Sequence, residues 1–172
     1  MSLHLATGPS IDSGNWIVYN TVLEFRTGGA GFTVGWGDTS GDAISLNYTA
    51  NSSSNKLLIL VHLTVGLDFG GRIGASLYFG GSREDSIAAN TSGNIQRRTS
   101  GEHAGNDADI SSIEFNYLKT SPSTSSTTYS VRLGQGDNGT RNVYINRPDN
   151  EPNQSYIMNG TSSITIMEFQ HA

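Results

Sequence analysis

Four histidines, at positions 4, 62, 103 and 171, are the first side chains to test for chemistry. A zinc site gathers three or four N, S or O ligands, and the helical H-E-x-x-H pattern supplies two of them one turn apart. No such spacing occurs here. The chain has no cysteine, which removes disulfides, thiolate ligands and cysteine nucleophiles from consideration. His62 lies between Leu60 and Thr64 in an apolar run and reads as a packed or interface imidazole, not a general base.

The other reactive patterns are equally spare. No G-x-S-x-G elbow surrounds any serine. The glycine-rich stretch GGAGFTVGWGD matches neither a phosphate-binding P-loop nor a dinucleotide fingerprint, so Gly28, Gly29, Gly31, Gly35 and Gly37 are expected to serve tight turns. Asp137-Asn138-Gly139 and the alternating pair Asp107 and Asp109 lack the EF-hand ligand series and read as solvated turns. Glu114 and Glu168 fall on expected strands, where a structural ion pair or interface hydrogen bond is favoured over the facing carboxylates of a glycosidase. Asn-x-Ser/Thr triplets beginning at Asn47, Asn51, Asn90, Asn138, Asn153 and Asn159 follow from composition. Trp36, Tyr144 and Tyr156 adjoin glycine- or asparagine-rich loops where a ring can stack on a sugar, although packing or loop anchoring is the favoured reading. No catalytic, cofactor-binding or metal-ligating residue is assigned, and no cofactor is expected.

The composition describes what must position such groups. Only 15% of the 172 residues are charged, against roughly 25% in an average globular domain, with Gly, Ser, Thr and Asn in their place. A net charge of -5 and a single adjacent basic pair, Arg97-Arg98, argue against nucleic-acid binding. The segment MSLHLATGPSIDSG lacks the basic start and apolar centre of a signal peptide, and no apolar run is long enough to span a bilayer, so no membrane partner is expected.

Period-two patterns dominate. Residues 16–25 alternate through Ile17, Tyr19, Thr21, Leu23 and Phe25, and strands are also expected at 32–36, 44–49, 72–79, 110–118, 128–133, 141–146 and 164–169. The strongest is KLLILVHLTV at 56–65, where Leu57, Ile59, Val61, Leu63 and Val65 form one face. Leu58 and Leu60 make the other face partly apolar, as in a central strand covered on both sides. Residues 80–109 read as a long irregular excursion with one short strand near Ile95, and a weak extended segment is expected at 156–158. With no capped amphipathic helix in view, the pattern predicts an all-β, two-sheet sandwich. A jelly roll is favoured, with a barrel as the competing arrangement.

From Leu46 to Phe169 the chain also resembles a group of small structural proteins of tailed bacteriophages, particularly cyanophage-like ones. The likeness is carried by YTANSSSNKLLILVHLTVG, RIGASLYFGGS, FNYLKTSPSTSSTTYSVRLG, VYINRP and GTSSITIMEF. Its most specific parts are Ser121-Pro122 through Tyr129, Val143 through Arg147, and Ser163 through Glu168. The first 40 residues and residues 82–109 depart from it.

The resemblance implies a single jelly roll of the tumour-necrosis-factor and C1q type over residues 1–172, in a homotrimer. Residues 1–40 are a candidate anchoring segment through Trp16, Ile17 and Tyr19. It further implies a non-enzymatic virion protein, assembled in the host cytoplasm, with the major capsid protein or another virion protein as partner. A capsid decoration or cement protein is the leading expectation. A tail fibre, spike or baseplate component that binds a host surface glycan is the alternative.

The terminal strand fits a trimer. Ile164 and Ile166 share one side with Glu168, while Thr165, Met167 and Phe169 take the other, so both sides require something apolar to contact. Leu58, Leu60, Tyr117 and Phe169 are the expected intersubunit residues.

Overall fold

A computed structural model describes residues 16–26, 30–34, 41–68, 71–88, 99–104, 109–135, 140–149 and 159–171. The strands are β1 (Trp16–Arg26), β2 (Ala30–Val34), β3 (Asp42–Tyr48), β4 (Lys56–Leu67), β5 (Gly71–Phe79), β6 (Ser82–Arg83), β7 (Ser100–Ala104), β8 (Ser111–Thr120), β9 (Thr127–Gln135), β10 (Arg141–Ile145) and β11 (Ser162–His171). They form a six-stranded sheet of β1, β11, β4, β10, β2 and β8, and a five-stranded sheet of β3, β9, β5, β6 and β7.

Eight of these strands pair as a long hairpin wrapped on itself. β1 pairs with β11, β3 with β9, β4 with β8, and β5 with β7, all antiparallel, so the first strand of the eight meets the last, the second the seventh, and so inward. The two halves of that hairpin then interleave into the orders β1-β11-β4-β8 and β3-β9-β5-β7. This is a jelly-roll arrangement of two packed sheets. β2 and β10 are additions to it, a pair that joins the C-terminal end of β4 through Val143, Tyr144 and Ile145.

The strand alternation explains the core. Leu57, Ile59, Val61, Leu63, Val65 and Leu67 of β4 all point inward, where they meet Ile164 and Ile166 of β11 and Val143 and Ile145 of β10 in one buried cluster. The opposite sheet supplies Ile44, Leu46, Ile73, Ala75, Leu77, Tyr129, Val131 and Leu133. Each fully buried aliphatic side chain contributes about 1.5–3 kcal/mol relative to exposure, so this double row is the main cohesive term.

One expectation changes here. The excursion at 80–109 is partly regular: β6 follows the Gly80-Gly81 turn, a 3-10 turn covers Asp85–Ile87, and β7 pairs with β5 from Gly71 to Ala75. The expected strands near Ile95 and at 156–158 lie outside the described residues. Trp16, Ile17 and Tyr19 lie in β1, an edge strand of the six-stranded sheet that pairs with β11.

Candidate functional site

The outward face of the six-stranded sheet separates into a roofed half and a bare half at Thr64. Beyond Thr64 the turn after β10 folds back over β4: Asn146 N–H donates to Thr64 O at 2.8 Å, Gly160 N–H donates to Asn146 O at 2.8 Å, and Thr64 Oγ1 donates to Thr161 O at 3.0 Å. Asn146 adopts φ 65°, a left-handed conformation that asparagine tolerates better than most residues, and its side-chain oxygen accepts from Ser162 Oγ at 2.7 Å. Gly66 lies under this roof. A Cβ there would sit 2.5 Å from Arg147 O and 2.9 Å from Pro148 Cα.

From Lys56 to His62 nothing among the described residues covers the sheet. Cross-strand register sets out the rows Ser163–His62–Glu114, Thr165–Leu60–Asn116, Met167–Leu58–Leu118 and Phe169–Lys56–Thr120 across β11, β4 and β8. Leu60 is 38% exposed and Leu118 46%, the two large apolar side chains most open to solvent among those described. Leu58, Met167 and Phe169 are half-buried beside them. A shallow groove lined by Leu60, His62, Glu114, Asn116, Ser163 and Thr165 crosses this surface.

The other sheet presents a contrasting exterior. Asp42 Oδ1 accepts from Ser130 Oγ at 2.9 Å and from Arg132 Nε at 2.7 Å, while the Arg132 guanidinium lies 4.4 Å from the centre of the Tyr78 ring. Thr128 Oγ1 donates to Asn47 Oδ1 at 2.6 Å. These side chains satisfy one another and cover Tyr78, which is 8% exposed. Among the described residues, the exposed large apolar side chains Leu60 and Leu118 both belong to the first sheet.

The expected site residues disperse. His62 is on β4 of the six-stranded sheet, His103 on β7 of the other, and His171 at the end of β11; His4 lies outside the described residues. Glu114 points outward, 68% exposed and paired with His62, whereas Glu168 points into the core at 0% exposure. Opposite faces of one sheet cannot supply a facing carboxylate pair. Asp109 is exposed, while Asp107, Asp137, Asn138, Gly139, Trp36, Tyr156 and the Arg97-Arg98 pair lie outside the described residues. Tyr144 carries the Arg147 guanidinium 4.2 Å from its ring centre. Its hydrogen bond to Asp149, burial and the charge of Asp149 push its hydroxyl up to about 12. One face of that ring is thus already occupied. Among the described residues no group of three or more His, Asp or Glu could hold a metal ion.

Glu168 makes buried hydrogen bonds within the chain. It accepts from Tyr48 Oη at 2.5 Å, Asn55 Nδ2 at 2.6 Å and Asn51 N at 2.9 Å, which pins β11 to the end of β3 and the turn before β4. Burial, together with the negative charge of Glu168, pushes the Tyr129 hydroxyl up to about 12.

Tyr117 departs from the expected interface set. Its register partner is the buried Ile59, so it faces the sandwich interior, stacked on Phe79 at 6.3 Å with its hydroxyl 2.8 Å from Ser86 Oγ. Leu118, one residue on, takes the outward place beside Leu58. Only cross-strand register could have found it, because Leu118 sits on the otherwise polar side of β8.

No family model matches the sequence, and comparison with curated proteins finds no match. Among solved structures, the chain is similar at 12% identity and a TM-score of 0.34 to a chain in the structure of infectious bursal disease virus Gx strain. The match covers 97% of this chain and 46% of the other, so this chain spans about half the length of that one. A likeness this slight carries no argument about function.

Proposed function

We propose that this chain is a non-enzymatic structural protein of a virion, a capsid decoration or cement protein that self-associates as a trimer through the bare face of its six-stranded sheet. The observation that carries self-association is the uncovered row of Leu58, Leu60, Leu118, Met167 and Phe169, set against an opposite sheet whose exterior is polar and closed. The phage-type sequence motifs from Leu46 to Phe169 and the jelly-roll pairing support the virion assignment.

Charge supports a second copy as the occupant. The whole chain is -5, which opposes self-association in general. Across residues 56–62, 114–120 and 163–169 the outward ionisable groups are Lys56, His62 and Glu114, summing to about zero, so like-charged copies meet with little repulsion there. A closed ring would place this face of each copy against its neighbour and give both sides of β11 an apolar environment. One jelly-roll domain spans the chain in this reading. Attachment falls to residues 1–40, with the major capsid protein or another virion protein as partner. Stable attachment requires about 1,000 Å2 or more of buried surface.

Cryo-electron microscopy of intact particles purified from the cells that make the protein tests this. Regular trimers at capsomer junctions or centres are expected. Density only at the tail or vertex would replace decoration with the fibre, spike or baseplate reading and its glycan partner. Particles that lack the protein would end the virion assignment.

A further inference from the structure

His62 and Glu114 stand opposite each other on β4 and β8, with Nδ1 2.8 Å from Oε1. Their side chains are 40% and 68% exposed in the separate chain. Among the described side chains, those of β11 and β8 around them add no nearby charge on this face. β11 contributes Ser163 and Thr165, β8 contributes Asn116 in the next row, and Lys56 at the far end of β4 donates to Thr120 Oγ1. Lys119 faces the other side of β8, where it is bonded to Glu84.

Covering this face with a second copy withdraws water from Glu114. A carboxylate beside a neutral imidazole carries a net charge of -1 into an apolar contact. With an imidazolium, the pair is net neutral and its hydrogen bond is charge-assisted. The cheaper state in the contact is therefore the doubly protonated ring, with Nδ1–H donating to Glu114 and the added proton on Nε2.

We infer that His62 takes up a proton when the face is covered by a second copy, so that self-association is controlled by pH through the His62–Glu114 pair. The inference rests on the self-association reading above. Its sign follows from linkage. Because association takes up a proton, it strengthens as pH falls and weakens as pH rises. One proton per chain limits the effect to about tenfold in affinity per pH unit for each chain.

Sedimentation equilibrium of the full chain from pH 5.5 to 8.5 reads this directly, in the wild type, His62→Gln, Glu114→Gln and the double variant. The wild type is expected to associate more weakly as pH rises. His62→Gln leaves Glu114 alone in the contact and should associate weakly throughout. Glu114→Gln leaves an imidazole with no anion, which burial holds neutral, so its slope should reverse. The double variant should associate with no slope.

A wild type monomeric at every pH would overturn the self-association reading itself. An assembly with a flat profile would overturn this inference alone. So would a slope that survives in the double variant, which would place it on His4, His103 or His171.

Discussion

Glu168 shows how one residue reconciles a charge with an apolar interior. It alternates with Ile164 and Ile166, and like them it is fully buried, yet its carboxylate meets a hydroxyl, a side-chain amide and a backbone N–H. Removing the acceptor takes away hydrogen bonds from Tyr48, Asn55 and Asn51. We expect Glu168→Ala to lower stability by about 3 kcal/mol or more, read as a reduced urea midpoint at unchanged m. Tyr129 reports the same environment. Its hydroxyl titrates near 12 in the fold and near 10 when unfolded. Because the folded value is the higher one, its contribution is present in full below pH of about 10 and is lost as pH rises through about 12. Tyr129→Phe should remove that part of the alkaline loss in denaturant titrations between those limits.

At the scale of elements, the roof over β4 and the edge strand β8 shape where the molecule can make contacts. Gly66→Ala would push a Cβ into Arg147 O and Pro148 Cα, both backbone atoms that can yield only if the turn moves. A loss of about 1–3 kcal/mol is expected in thermal or urea unfolding. Gly41→Ala is the matched control, since a Cβ there meets nothing within 4 Å, and should change stability by no more than about 0.5 kcal/mol. β8 pairs only with β4 among the described strands, and a ten-residue edge invites further strand pairing. Lys119 blunts it: its ammonium points inward, 3.9 Å from the centre of the Phe79 ring and 2.7 Å from Glu84 Oε2. Burial pushes the Glu84 carboxyl up, but hydrogen bonds from Lys119 and Ser86 outweigh it and hold the group below its usual range. Lys119→Met is expected to increase thioflavin-positive aggregation at matched folded fraction.

For the whole molecule, the decisive quantity is apolar surface left uncovered on one sheet. Leu60→Glu or Leu118→Glu should give a folded monomer in sedimentation velocity, with the far-ultraviolet spectrum of the parent, because each adds a charge at the bare face without touching the core. Retention of the oligomer in both variants would mean that a different surface holds it.

The sequence by itself determined that the chain is a β sandwich, where most strands lie, and that Ile164, Ile166 and Glu168 share a side of β11. Those are consequences of a local period of two. It missed β7 because Ser-Gly-Glu-His-Ala has no apolar alternation and is held by the edge of β5. It put Tyr117 in an intersubunit contact, whereas register with the buried Ile59 turns that ring toward the sandwich interior; a shift of one residue reverses the face of a strand. Only the tertiary structure decided which part of β4 is bare. Its outward face from Lys56 to Gly66 reads as one strand face, and the roof that divides it comes from Asn146, Arg147, Pro148 and Thr161, distant in sequence and brought there by the hairpin's wrapping.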